Sequence, residues 1–85
     1  MVSRKTIVTN ESGFHVRPAS VLVKKAEMCS STVEIIYKYN VINAKSLLNI
    51  LSASIARGSE IELRCSGPEE EADMEFMLEA LKHLE

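Results

Sequence analysis

The stretch Glu60-Ile61-Glu62-Leu63-Arg64-Cys65 alternates without a break. Ile61, Leu63 and Cys65 fall on one face, Glu60, Glu62 and Arg64 on the other. A strand of this kind buries one face and leaves the other in water, so its sheet is covered on one side only. Three helical stripes are available to cover that side. Ala19, Leu22, Val23 and Ala26 stand at i, i+3, i+4 and i+7, starting from Pro18. Leu47, Leu48, Ile50, Leu51 and Ile55 follow Ser46, with Gly58 expected as the C-terminal cap. Met74, Met77, Leu78, Leu81 and Leu84 follow Gly67-Pro68-Glu69-Glu70-Glu71. That start puts proline in the first turn and acids at the positive end of the helix dipole.

The remaining strands are shorter. Arg4 to Thr9 reads as a strand anchored by Ile7 and Val8, and Val33 to Tyr37 is β-branched and aromatic. Val41-Ile42 is a short partner strand. The link Lys38-Tyr39-Asn40 has no glycine, and Asn40 is the residue expected there at positive φ. The order β-α-β-β-α-β-α predicts an α+β fold in two layers, with an antiparallel sheet of four strands and three helices on one face. At 85 residues the chain is expected to be one domain, residues 1–85.

Ten basic and twelve acidic residues give a net charge of −2, which argues against a dedicated nucleic-acid binder. No apolar run approaches the ~20 residues of a membrane span. No apolar stretch suited to a signal peptide follows Met1-Val2-Ser3-Arg4-Lys5. The expected location is the cytoplasm, with Cys29 and Cys65 as reduced thiols. Their spacing suits no metal, and neither metal nor cofactor is expected.

One segment carries chemistry. Pro18 fits the first turn of a helix, which puts His15 at or just before its start, near the unpaired N–H groups of residues 16 and 17. The dipole and Arg17 both work against a positive charge on the imidazole and leave a ring nitrogen free as a nucleophile. A dianionic group on that nitrogen would meet backbone donors and a guanidinium, and Gly13 lets the loop approach closely. On these residues alone, a solvated or capping histidine and a phosphoryl carrier stand level. The stripe after Ser46 is a separate signal: it spreads over about 160°, wider than a short helix on a small domain needs. Part of it is expected at the surface.

Gly13-Phe14-His15-Val16-Arg17-Pro18-Ala19 resembles the active-site signature of the HPr family, phosphocarriers of the bacterial phosphoenolpyruvate-dependent sugar phosphotransferase system. Asn43-Ala44-Lys45-Ser46-Leu47-Leu48-Asn49-Ile50-Leu51 resembles the family's regulatory serine signature. Length and element order agree, so the resemblance spans the chain. It implies an open-faced sandwich. It implies that His15 takes a phosphoryl group from phosphorylated enzyme I on Nδ1 and passes it to a IIA domain of a sugar permease. Arg17 would steady that group. Ser46 would be phosphorylated by an HPr kinase where the host has one, with a catabolite-control transcription regulator as a further partner. Ser20, Lys24, Leu47, Leu48 and Leu51 match positions that dock enzyme I and IIA domains. A monomer is expected, with no direct contact to nucleic acid or membrane.

The departures are Phe14 where leucine is usual, a hairpin Lys38-Tyr39-Asn40 without the glycine, which implies a different turn, and Asn49 and Ser54 where glycines are common. Side chains at the last two are expected to strengthen their helix. Two alternatives share the family: a regulatory module acting mainly through phosphorylated Ser46, and a paralogue in a nitrogen-related phosphorelay. Regulatory specialists lack the active-site histidine, so His15 puts the carrier first. With no nucleotide loop or metal constellation, the chain is expected to carry phosphoryl groups rather than act as an enzyme by itself.

Overall fold

A computed structural model of the chain describes residues 1–84. The elements run β1 (Val2–Ile7), α1 (Val16–Glu27), β2 (Thr32–Tyr37), β3 (Asn40–Asn43), α2 (Leu47–Ala53), β4 (Glu60–Ser66) and α3 (Glu70–Leu81). The strands form one sheet in the order β1-β4-β2-β3, each pair antiparallel. β4 lies inside the sheet, and its alternation sets the two faces. Ile61, Leu63 and Cys65 are buried beside Val33 and Ile35 of β2 and Ile42 of β3. The helices close that face with Ala19, Leu22 and Ala26, then Ile50, then Met74 and Met77. On the open face Arg64 pairs with Glu34 of the neighbouring strand at 3.0 Å, in direct register.

Several local expectations need correction. The first strand begins at Val2 and ends at Ile7, so only Val8 of its two anchors is in the core; Ile7 lies opposite Glu60 on the open face and is 48% exposed. The β2–β3 turn places Lys38 (φ 49°) and Tyr39 (φ 69°) in the left-handed region, not Asn40. Tyr37 pairs with Asn40, so two residues make the turn, and a two-residue hairpin matches strand twist when both have positive φ. α2 ends at Ser54 (φ 54°, ψ 46°) rather than at Gly58. Gly58 (φ 88°) turns the chain into β4 and donates its N–H to the Val8 carbonyl at 2.8 Å. Ile55 is therefore buried from the loop and is not part of the helix stripe. A side chain at the left-handed Ser54 adds strain, on the order of 1 kcal/mol, instead of strengthening the helix. Pro68 precedes α3, whose first turn begins at Glu70; the Glu70 carboxylate accepts from the Gly67 N–H at 3.1 Å.

The layers are joined by a polar knot under the sheet's end. The Ser31 N–H donates to Oδ2 of Asp73 on α3 at 3.0 Å. The Lys45 ammonium donates to the Cys29 carbonyl at 3.0 Å. Hydrogen bonding from Ser31 holds the Asp73 carboxyl below its ordinary value of 3.8, with Cys29 and Lys45 adding to the effect. The hydroxyl has no hydrogen bond of normal geometry among the described residues, so the N–H carries the interaction. Cys29 and Cys65 are free and buried. Burial, then Asp73, pushes the Cys29 thiol up to about 11, which makes it an unreactive packing group.

Asp73→Ala removes a charged acceptor from a buried N–H and should cost about 1–2 kcal/mol at pH 7. The native carboxyl titrates below the unfolded one, so its contribution is complete above the unfolded value and is lost as pH falls through the native one. Chemical denaturation of both proteins should show the gap at pH 7 and its narrowing below pH 3.8. A gap that stays constant at low pH would assign the loss to packing instead.

Candidate functional site

The site is built on a glycine. Gly13 has φ +64°, and a Cβ there would come within 2.7 Å of the Ile55 carbonyl oxygen and 3.0 Å of both Ala56 Cα and the Arg57 nitrogen. The Gly13 N–H donates to the Asn10 carbonyl at 3.1 Å, and the Asn10 side-chain amide donates to the Gly13 carbonyl. The Phe14 N–H donates to the Ile55 carbonyl at 3.0 Å, and the Phe14 ring is buried. The β1–α1 loop is thus held on the α2–β4 loop immediately before the histidine.

His15 is the N-cap of α1, with extended backbone (φ −74°, ψ 179°) and its carbonyl accepting from the Ala19 N–H at 2.8 Å. Its side chain is exposed and makes no capping bond, so the ring is not spent on the helix end. Pro18, third in the helix, removes a donor that has no helical partner there. The N–H groups of Val16 and Arg17 start the helix without acceptors among the described residues.

Two clefts meet at His15. One, of about 700 Å³, is lined by Glu11, Ser12, His15, Val16, Arg17 and Pro18. The other, of about 510 Å³, shares Glu11, Ser12, His15 and Val16 and adds Phe14, Leu51, Ser54, Ile55, Ala56 and Arg57. The structure therefore brings together His15, Arg17 and Leu51 of the residues singled out from sequence. Arg17 is exposed and makes no ion pair among the described residues.

The others lie farther out. Val16, Ser20 and Lys24 recur every four residues along one face of α1; Val16 (62%) and Lys24 are exposed and Ser20 is partly buried. On α2, which packs against α1, Leu47 and Leu51 are half-buried and Leu48 is 74% exposed. The wide stripe does leave apolar surface outside. Ser46 is the N-cap of α2: its hydroxyl accepts from the Asn49 N–H at 3.2 Å. It lines neither cleft. His83 is bonded to Glu79 at 3.0 Å and lines a different pocket with Lys25 and Phe76.

Sequence reasoning missed Val16 and Arg57. Val16 is apolar and exposed beside His15, a position visible only once the helix start is fixed. Arg57 is about forty residues away in sequence, and only the Gly13 contact brings it to the histidine.

The comparisons agree with this geometry. The family described as "PTS HPr component phosphorylation site" matches residues 2–84. The phosphocarrier protein HPr of Buchnera aphidicola is 34% identical over 85 residues, covering all of both chains. That of Mycoplasma capricolum is 39% identical over 67 residues, 79% of this chain and 75% of its own. The crystal structure of HPr from Thermoanaerobacter tengcongensis superposes with a TM-score of 0.93 at 26% identity, covering 99% of this chain and 94% of that one. A β-α-β-β-α-β-α open-faced sandwich, an exposed histidine at the N-cap position of its first helix, and a match over nearly every residue place this chain in the HPr family of phosphocarrier proteins of the phosphotransferase system.

Proposed function

We propose that this chain, acting as one domain, accepts a phosphoryl group from phosphorylated enzyme I on His15 and donates it to IIA components of sugar permeases. The observation that supports it most is the uncommitted His15 ring at the start of α1, with Arg17 lining the same cleft. In the forward step a lone pair of the ring, on Nδ1, forms a bond to phosphorus as the bond between phosphorus and the donor breaks. The phosphoryl group then faces the free N–H groups of Val16 and Arg17 and the positive end of the dipole. These donors stand in place before the group arrives, so they need no reorganisation during transfer. Transfer onward reverses the same step onto an acceptor histidine.

The exposed surface suits this reading. Val16, Leu48, Leu51 and Lys24 border the clefts or extend from them along α1 and α2, giving a partner both apolar area and positive charge. No helix among the described residues is long and apolar enough to cross a membrane, in keeping with a cytoplasmic carrier.

Incubation with phosphoenolpyruvate and enzyme I tests the reading. It should give an acid-labile adduct at His15, absent in His15→Ala and retained in His83→Ala. His15→Ala should melt with the wild type, since the side chain is exposed and caps nothing. Phosphate on His83, or transfer through His15→Ala, would overturn the assignment.

Arg17→Lys keeps the charge but loses the planar fork that fits two phosphate oxygens. Transfer should slow while binding to enzyme I changes less. Arg17→Glu should be slower still, because it sets an acid beside a dianion. Stopped-flow or quench measurements that give one rate for all three proteins would remove Arg17 from the site.

Ser46 is the proposed regulatory site. A phosphate on an N-cap meets helix N–H groups and the positive dipole end, so α2 should tolerate it. It also adds about −1.5 to −2 charges beside Leu47 and Leu48. Ser46→Asp should therefore melt no lower than wild type yet accept phosphate about tenfold more slowly or worse. Ser46→Ala should transfer normally and lose up to about 1 kcal/mol of capping stability. Wild-type transfer by Ser46→Asp would sink the docking role of α2 and leave His15 untouched.

A further inference from the structure

The proposed transfer uses one arginine, but the two clefts at His15 contain two. Arg17 lines the first and Arg57 the second, and His15 lines both. We infer that Arg57 is a second cation of the phosphoryl site, flanking the group on His15 from the cleft that Arg17 does not line. This rests on the phosphocarrier reading of His15.

Three observations carry it. The first is attachment. Gly13 packs so closely on the α2–β4 loop that even a Cβ there would stand 3.0 Å from the Arg57 nitrogen. The Phe14 N–H to Ile55 carbonyl bond, at 3.0 Å, adds a second tie one residue before the histidine. The base of the Arg57 side chain is therefore set relative to His15 by backbone packing.

The second is availability. Arg57 is exposed and makes no ion pair or hydrogen bond among the described residues. Arg57 also lines a third cleft, with Glu11, Lys82 and Leu84, but no hydrogen bond or ion pair ties it to any of them among the described residues.

The third is charge. Among the described residues, the only carboxylate lining either cleft is Glu11, which lines both. With Arg17 alone, one positive and one negative side chain would surround His15 and cancel. With Arg57 the lining has one net positive charge to meet an incoming dianion. A guanidinium also suits the planar edge of a phosphoryl group better than an ammonium does. Arg57 thus offsets Glu11 and leaves Arg17 free to act on the phosphoryl oxygens.

The test compares wild type, Arg57→Gln and Arg57→Lys, each loaded from phosphoenolpyruvate through enzyme I. Two quantities are read: the rate of phosphoryl acceptance, and the pH titration of the phosphohistidine followed by ³¹P NMR. Loss of a nearby cation makes a phosphohistidine bind protons more readily. Arg57→Gln should therefore titrate at higher pH than wild type and accept phosphate up to about fivefold more slowly, the range open to a solvent-exposed ionic contact. Arg57→Lys should restore the titration and most of the rate. All three should melt together, since Arg57 makes no hydrogen bond or ion pair among the described residues. A titration unchanged in Arg57→Gln overturns the inference. It does so even if the rate falls, because the arginine then serves partner docking and not the phosphoryl group. Failure of wild-type His15 to take up phosphate would instead overturn the phosphocarrier reading beneath it.

Discussion

The close packing of Gly13 on the backbone of Ile55 to Arg57 is the contact on which the rest of the site depends. Two loops that are remote in sequence touch there with no side chain between them. Any residue with a Cβ would have to displace a carbonyl 2.7 Å away, and at φ +64° it would be strained as well. Once the loops touch, Phe14 can enter the core and bond to Ile55. With Phe14 buried, the next residue is forced outward at the start of α1. His15 is exposed because its predecessor is anchored, not because the loop is loose. A reactive side chain gains a defined position in this way without being buried itself, so it keeps access to partners.

The sheet supplies a different constraint. One face is closed by three helices and the other is open, so every apolar residue on a helix either faces the sheet or faces water. In α1 and α3 the stripe faces the sheet: Leu22, Met74 and Met77 are fully enclosed. In α2 only Ile50 is buried, while Leu47, Leu48 and Leu51 remain partly or largely outside. A seven-residue helix has too few turns to hide Leu47, Leu48, Ile50 and Leu51 on one side. Apolar area left out in this way next to His15 suits the proposed carrier role, because a partner that covered it would gain burial energy while reaching the ring.

The fold was legible from sequence to the extent that it depended on periodicity. The alternation from Glu60 to Cys65 and the stripes led by Ala19 and Met74 survive as sheet and helix faces. The capping role of Ser46 and the location of His15 followed from single-residue chemistry, serine as an N-cap and proline in a first turn. What failed were the positions where tertiary structure overrides local preference. Ser54 adopts a left-handed conformation that glycine prefers, because the chain must turn there for Ile55 to reach the core. Lys38 and Tyr39 do so because strand register, set by β2 and β3, leaves two residues for the turn. Arg57 could not be found from sequence at all. Its relation to His15 is created by the Gly13 contact, and a glycine in a loop does not disclose what it packs against.

The proposed regulatory serine and the proposed phosphoryl site sit at opposite ends of α2. Leu51, Ser54 and the loop beyond them line a cleft at His15, whereas Ser46 caps the first turn. Eight residues at 1.5 Å of rise separate Ser46 from Ser54, about 12 Å along the axis. That is greater than the Debye length of about 8 Å at physiological ionic strength, so direct repulsion between charges on the two sites is largely screened where solvent intervenes. The N-cap geometry also argues against a shape change, since added negative charge favours the helix start it occupies. Neither field nor refolding then carries much of the effect of a modified Ser46 to His15. What remains is the surface between them. Leu47 and Leu48 follow Ser46 directly, and a partner that covers them must strip water from any dianion at their edge. Desolvation acts only when the partner is bound, which makes the modification a control on encounter and not on the reactivity of the histidine.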